Sequence, residues 1–112
     1  LQENAKMHAM TEDVIESCHN GIVSWERCSD VKPVLIQGKS DRKDTTERWK
    51  ILEEYFMMKD IDYRVVSSNN ENILSKIVNL TYILDYSTIY TAILNNTDPS
   101  PVRSIDFVKS KL

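Results

Sequence analysis

The sequence predicts an α/β domain built on a parallel sheet, and three observations carry that expectation. Pro33-Val34-Leu35-Ile36-Gln37 is a continuous apolar run closed by Gly38-Lys39-Ser40, the pattern of a strand buried on both faces. Tyr63-Arg64-Val65-Val66 reads as a second strand. Between the two, Trp49, Leu52, Tyr55 and Phe56 recur at helical spacing and form an apolar stripe. Strand, helix, strand is the order of a right-handed βαβ unit.

Glu3 to about Met10 reads as the end of a strand-to-helix turn running into a helix. Thr11-Glu12-Asp13 offers a cap for a second short helix through Ser17. His19-Asn20-Gly21 is a turn signal, followed by the apolar Ile22-Val23-Ser24-Trp25. After the first strand, Asp44-Thr45-Thr46-Glu47 looks like a helix start, with an acidic residue three places after the cap. That helix ends near Lys59-Asp60, and Ser67-Ser68-Asn69-Asn70 after the second strand reads as a loop capping the next helix.

Glu71 to about Asn95 is the longest helical pattern, with Ile73, Ile77, Leu80, Leu84 and Tyr86 expected near its buried side. Asp98-Pro99-Ser100-Pro101 stops it, because proline cannot continue a helix. A final amphipathic piece has Ile105, Val108 and Leu112 facing inward, with Lys109 and Lys111 pointing elsewhere. Two strands make a poor sheet, since sheets generally hold about four to six. The sheet is therefore expected to be truncated, with neighbours outside this chain covering its apolar faces.

Composition narrows the function. The 112 residues are the size of one domain, 41% hydrophobic and 28% charged, with a net charge of -3. Clustered Lys and Arg are absent, so no nucleic-acid partner is expected. Uninterrupted apolar runs such as Pro33–Ile36 are far too short to cross a bilayer, so no membrane partner is expected either. No basic-then-apolar leader opens the sequence, and a cytoplasmic location follows as the expectation. Cys18 and Cys28 show no metal-binding spacing and read as two reduced cytosolic thiols. The sequons Asn79-Leu80-Thr81 and Asn95-Asn96-Thr97 then carry no meaning. Only two glycines occur, Gly21 and Gly38. A loop that cradles phosphate needs several, so most of any phosphate site must lie on another segment.

Few residues stand out as chemical. Glu3, taken alone, is a solvated charge near the N-terminus, and Lys109 is a surface lysine. His19 is more informative, because imidazole titrates near neutral pH, although a lone histidine beside a helix end also fits a structural or exposed role. His8 sits mid-helix and is less so.

Longer stretches carry more. Leu1-Gln2-Glu3-Asn4-Ala5-Lys6 resembles the L-N-E-N-A-K segment of the archaeal and bacterial bifunctional phosphoglucose/phosphomannose isomerases. His19-Asn20-Gly21-Ile22-Val23-Ser24-Trp25 resembles their H-N-E-I-V-G-W, and the Glu3-to-His19 separation also agrees. Leu84-Asp85-Tyr86-Ser87-Thr88-Ile89-Tyr90-Thr91-Ala92-Ile93-Leu94 is similar to their G-D-Y-x-S-x-Y-x-A-x-L helix. Asp98-Pro99-Ser100-Pro101-Val102-Arg103-Ser104-Ile105-Asp106-Phe107-Val108-Lys109 is similar to their closing D-P-T-P-V-x-x-I-D-x-L-K.

The resemblance implies that 1–112 is the C-terminal part of the second of two sugar isomerase (SIS) domains. Each is a flavodoxin-like α/β sandwich, a parallel sheet with helices on both faces. It implies interconversion of glucose 6-phosphate or mannose 6-phosphate with fructose 6-phosphate, in carbohydrate metabolism. Glu3 would be the base moving a proton between C1 and C2 through a cis-enediol, His19 would help open the sugar ring, and Lys109 would assist from the C-terminal helix. A carboxylate suits that shuttle if held over one face and partly desolvated. An imidazole suits ring opening, and an ammonium suits a phosphate or a developing oxyanion. No metal or cofactor is required.

The resemblance also implies a homodimer in which the histidine reaches the neighbouring subunit's site. The phosphate-binding Ser/Thr residues and the enediolate-stabilising arginine of these enzymes belong before Leu1, so the fragment alone is expected to be inactive. Gln2 and Gly21 depart from the family pattern, Gly21 at the turn that aims His19, and Ser24 is a minor change. The rival reading is a non-catalytic SIS-type module that binds a sugar phosphate or dimerises.

Overall fold

The computed structural model describes residues 1–27 and 29–112, so Cys28 lies outside the described residues. The elements in chain order are α1 (Gln2–Ala5), α2 (Val14–Ser17), a 3₁₀ segment (Gly21–Glu26), β1 (Val34–Gly38), α3 (Lys43–Met58), β2 (Arg64–Ser68), α4 (Ile73–Leu94) and α5 (Arg103–Lys109). They form two compact units, Thr11–Leu80 and Leu1–Met10 with Thr81–Leu112.

The Thr11–Leu80 unit holds the sheet. β1 and β2 pair in parallel with Leu35 opposite Val65 and Ile36 opposite Val66, as a βαβ crossover through α3 requires. Arg64 N–H to the Pro33 carbonyl at 3.0 Å and Lys39 N–H to the Ser68 carbonyl at 2.8 Å extend the ladder at either end. The fold class read from the sequence is therefore present: a mixed α/β chain with a parallel two-stranded sheet and helices.

β1 departs from expectation in its burial. Leu35 is buried, but Val34 and Ile36 are exposed, so only one face is covered. Alternate residues of a strand point to opposite faces, and β1 reads as doubly buried only because both of its faces are apolar. Ser67 and Ser68, expected in a loop, are the last residues of β2.

α3 presents the expected stripe, with Leu52 and Phe56 each 2% exposed and Trp49 and Tyr55 half-buried. Phe56 stands edge-on to Trp25 at 5.4 Å and tilted against Tyr63 at 5.6 Å, a geometry that favours aromatic pairs. The buried Trp49 indole N–H finds no acceptor among the described residues. The helix starts at Lys43, one residue before the expected cap. Asp44 sits instead in the first turn, where a carboxylate faces the positive end of the helix dipole. The cap of α2 is as expected: the Asp13 carboxylate accepts from Ile15 N–H at 2.9 Å and Glu16 N–H at 3.1 Å.

Asn72 caps α4, its side-chain oxygen accepting from Leu74 N–H at 3.0 Å and Ser75 N–H at 3.2 Å. The helix is 22 residues long, with an 18-residue window of mean hydropathy 1.2, and is long and apolar enough to reach across a bilayer. The uninterrupted apolar runs did not announce that length. The same figures describe the central helix of an α/β domain whose sides are covered by protein.

In the Leu1–Met10 and Thr81–Leu112 unit, α1 is one turn long and does not run to Met10. Lys6 takes the left-handed conformation, φ 54°, and ends it. Beyond that point Met7 and Met10 are exposed, so no buried face rewards further helix. The buried residues of α4 are Thr88 and Ala92, not the expected set. Ile73, Ile77 and Tyr86 are exposed, with Leu80 and Leu84 only half-buried. α5 has no buried residue, so the inward placement of Ile105, Val108 and Leu112 is corrected: all three are exposed in this chain.

Candidate functional site

Glu3 lies in the first turn of α1, exposed. A single turn has little intrinsic stability, and neighbours hold this one. Asn4 Nδ2 donates to Thr88 Oγ1 at 2.7 Å, and the Thr88 hydroxyl donates to the Asp85 carbonyl at 2.7 Å. Lys6 Nζ donates to the Glu3 carbonyl at 2.5 Å and to the Pro99 carbonyl at 3.3 Å. Ala5 is buried. Between α1 and α4 opens a concavity of about 390 Å³, lined by Leu1, Glu3, Asn4, Asp85, Thr88 and Ile89. Glu3 is thus carried on a fastened turn at the edge of a hollow large enough for a small ligand.

His19 lies in the turn after α2, in the other unit, and is exposed. Its backbone N–H donates to the Glu16 carbonyl at 3.0 Å, as does the backbone N–H of Asn20 at 2.9 Å. The side chains of Asn20 and Glu16 are also bonded. Gly21 opens the 3₁₀ segment against Glu12, whose carboxylate occupies the space that a β-carbon at Gly21 would enter. Glu12 in turn accepts from Ser17 Oγ at 2.8 Å. The turn bearing His19 is thus bonded back to α2, and Gly21 leaves room for Glu12.

Lys109 is the last residue of α5 and exposed. Glu3 and Lys109 share one unit and His19 belongs to the other. No group of three or more His, Cys, Asp or Glu that could hold a metal ion occurs among the described residues.

Gly38 does not belong to a phosphate cradle. The space beside it is filled by the Lys76 side chain, and its N–H donates to Asp41 Oδ2 at 2.9 Å. Sequence reasoning missed Asn4, Asp85 and Thr88 as parts of the hollow. One local signal was available: threonine within a helix is disfavoured unless its hydroxyl bonds back along the chain or serves a partner.

Residues 1–112 match the family of the bacterial phospho-glucose isomerase C-terminal SIS domain. The chain belongs to this family. A bifunctional phosphoglucose/phosphomannose isomerase of Caldicellulosiruptor bescii is 32% identical to this SIS chain over 120 residues. The alignment covers 98% of the chain and 34% of that relative, so the chain spans about a third of its length. No solved structure matches the chain.

Proposed function

We propose that this SIS chain is the C-terminal part of an aldose–ketose isomerase that interconverts glucose 6-phosphate or mannose 6-phosphate with fructose 6-phosphate. The observation that carries the reading is Glu3, held on a fastened turn at the rim of the hollow between α1 and α4, in a chain similar to a bifunctional phosphoglucose/phosphomannose isomerase.

In this reading the Glu3 carboxylate takes the proton from C2 of the open-chain aldose, leaving a cis-enediolate. A proton then passes from O2 to O1 through the cis-enediol, and Glu3 returns its own to C1 to give the ketose. His19 assists ring opening, donating a proton at the ring oxygen and accepting the one that leaves the anomeric hydroxyl. Lys109 stands by the phosphate or the developing oxyanion. Glu3 is exposed in this chain, so the desolvation a base needs comes from the substrate and from the protein that closes over the hollow. Most of the residues binding the phosphate lie outside this chain, and 1–112 alone has no turnover. The working form is a cytoplasmic homodimer in which His19 serves the partner's site, with no nucleic-acid or membrane partner.

The test is conversion of fructose 6-phosphate by the full-length gene product, beside its Glu3→Gln variant. A positioned base contributes about 10²–10⁴-fold, and Glu3→Gln is expected to lose that much kcat while still binding sugar phosphate. Equal turnover in both proteins sinks the assignment of the base. Binding without turnover in either favours a sugar-phosphate-binding module. Sedimentation of the full-length protein checks the dimer, and a monomer at working concentration removes it.

A further inference from the structure

We infer that Asn4 and Thr88 are positioning residues for Glu3: their hydrogen bond sets where the base stands over the hollow. The inference rests on the reading of Glu3 as the proton-transfer base.

Three observations support it. First, α1 is four residues long, no side chain caps it, and its C-terminal end turns sharply at Lys6. A helix of one turn cannot fix a side chain by its own backbone bonds. Second, Asn4 adjoins Glu3, and its side chain makes a partly buried bond with Thr88, 84 residues away. Thr88 is one of only two buried residues of α4 and is 8% exposed. Its hydroxyl hydrogen is committed to the Asp85 carbonyl, which leaves the oxygen only as an acceptor, aimed at Asn4. An amide donor and a hydroxyl whose own proton is already placed form a bond with one arrangement. Third, Glu3, Asn4, Asp85 and Thr88 line the same hollow, so the bond lies at the wall where the base works.

The other attachments of the turn are weaker. The Lys6 ammonium reaches the Pro99 carbonyl at 3.3 Å, and the Asn95 amide reaches the Met7 sulfur at 3.4 Å. A lysine on an exposed four-carbon stem holds geometry poorly. Among the described residues, the Asn4–Thr88 bond is the one that joins α1 to the body of α4 through two short side chains. Misplacing a reacting group by about 1 Å costs about a hundredfold in rate. Loss of this bond therefore acts on kcat and leaves substrate affinity largely in place.

The experiment compares wild type, Glu3→Gln, Asn4→Ala, Thr88→Val, Thr88→Ser and the Asn4→Ala/Thr88→Val double variant in the full-length protein, each by kcat, KM and thermal midpoint. Thr88→Val keeps the shape of the side chain and removes the hydroxyl. Asn4→Ala adds a better helix former at a partly exposed site and keeps the test valid if Thr88→Val folds poorly. With Glu3→Gln inactive, the inference expects kcat to fall about ten- to a hundredfold in Asn4→Ala and Thr88→Val, with KM within about twofold. Thr88→Ser is expected to restore kcat, and the double variant to lose no more than the worse single one. Wild-type kcat in Asn4→Ala and Thr88→Val, with Glu3→Gln inactive, overturns the positioning role and leaves the base assignment standing. Wild-type kcat in Glu3→Gln overturns both.

Discussion

Lys76, in the first turn of α4, forms an ion pair with Asp41 in the loop after β1, and the two side chains are only 14% and 23% exposed. Asp41 also accepts from Gly38 N–H, and the stem of Lys76 lies where a β-carbon at residue 38 would be. One pair thus ties the end of the first strand to the start of the long helix, and it accounts for a glycine at position 38. Removing one partner of a largely buried pair leaves the other charge without compensation. Lys76→Met and Asp41→Asn are each expected to cost about 2 kcal/mol in urea unfolding, less than the about 3–5 kcal/mol of a fully buried pair. The double variant is expected to lose no more than the worse single one; strictly additive losses would show that the two side chains do not act together.

Phe56 is the most consequential side chain of the Thr11–Leu80 unit. It is 2% exposed and meets the rings of Trp25, Tyr55 and Tyr63. Phe56→Ala is expected to destabilise the protein by about 3–5 kcal/mol, a large share of the stability of an ordinary domain. Urea unfolding followed by tryptophan fluorescence reads the loss directly, since Trp25 is one of the partners. A loss under about 1 kcal/mol would place the core elsewhere.

Three exposed carboxylates set an acid limb. Asp44 is held below the usual range by a hydrogen bond from its own backbone amide and then by Arg42. Asp62 is lowered by the hydrogen bond and charge of Arg64, with Lys32 adding to them. Asp98 is lowered by hydrogen bonds from Ser100. A carboxylate whose folded pKa is depressed adds stability above its unfolded pKa, about 3.9 for Asp. That stability is lost as pH falls below this value through the folded ones. The thermal midpoint is expected to drop below about pH 4 and to drop less in an Asp44→Asn/Asp62→Asn/Asp98→Asn variant. Being exposed, these groups are screened, so added salt is expected to shrink the difference, and identical pH profiles would remove the assignment.

Cys18 behaves in the opposite sense. Burial raises its thiol pKa, with Arg48 opposing more weakly, and the thiol faces the Arg48 carbonyl at 3.8 Å. The thiolate is the reactive form, so iodoacetamide labelling of Cys18 is expected to rise at higher pH than that of a free cysteine. A Cys28→Ser background isolates it. Because the folded pKa is raised, its contribution to stability is complete below about pH 8.5 and declines as pH rises through the folded value. Labelling with the pH profile of an unfolded control would show that burial does not protect the thiol.

The legible parts of this protein are those written in local pattern. The Asp13 cap and the stripe of α3 were predicted because each depends on residues a few places apart. The parallel pairing of the strands followed from the helix between them. Glu3, His19 and Lys109 were found by resemblance across short motifs rather than by composition. What could not be read was the burial of α4. Its residues are apolar nearly all round, so the 3.6-residue period marks no single face, and Ile73 and Ile77 looked as suitable for the interior as any. The bond between Asn4 and Thr88 was hidden for a related reason: 84 residues separate them, and neither residue type announces its partner.

By itself the sequence determined the strand–helix–strand order with the long helix after it, the parallel sense of the sheet, and the family. Those rest on short-range sterics, caps, breakers and contiguous motifs, which no distant residue overrides here. Only the tertiary structure decided which side of each apolar element is covered. It placed Leu35 inside and left Val34 and Ile36 exposed, and on α4 it buried Thr88 and Ala92. It also decided that a one-turn helix is fastened beneath Glu3. The physical reason is common to both. An apolar side chain states that it prefers cover, but cover is supplied by whatever packs there, and in α4 the small Thr88 and Ala92 are the residues it reaches.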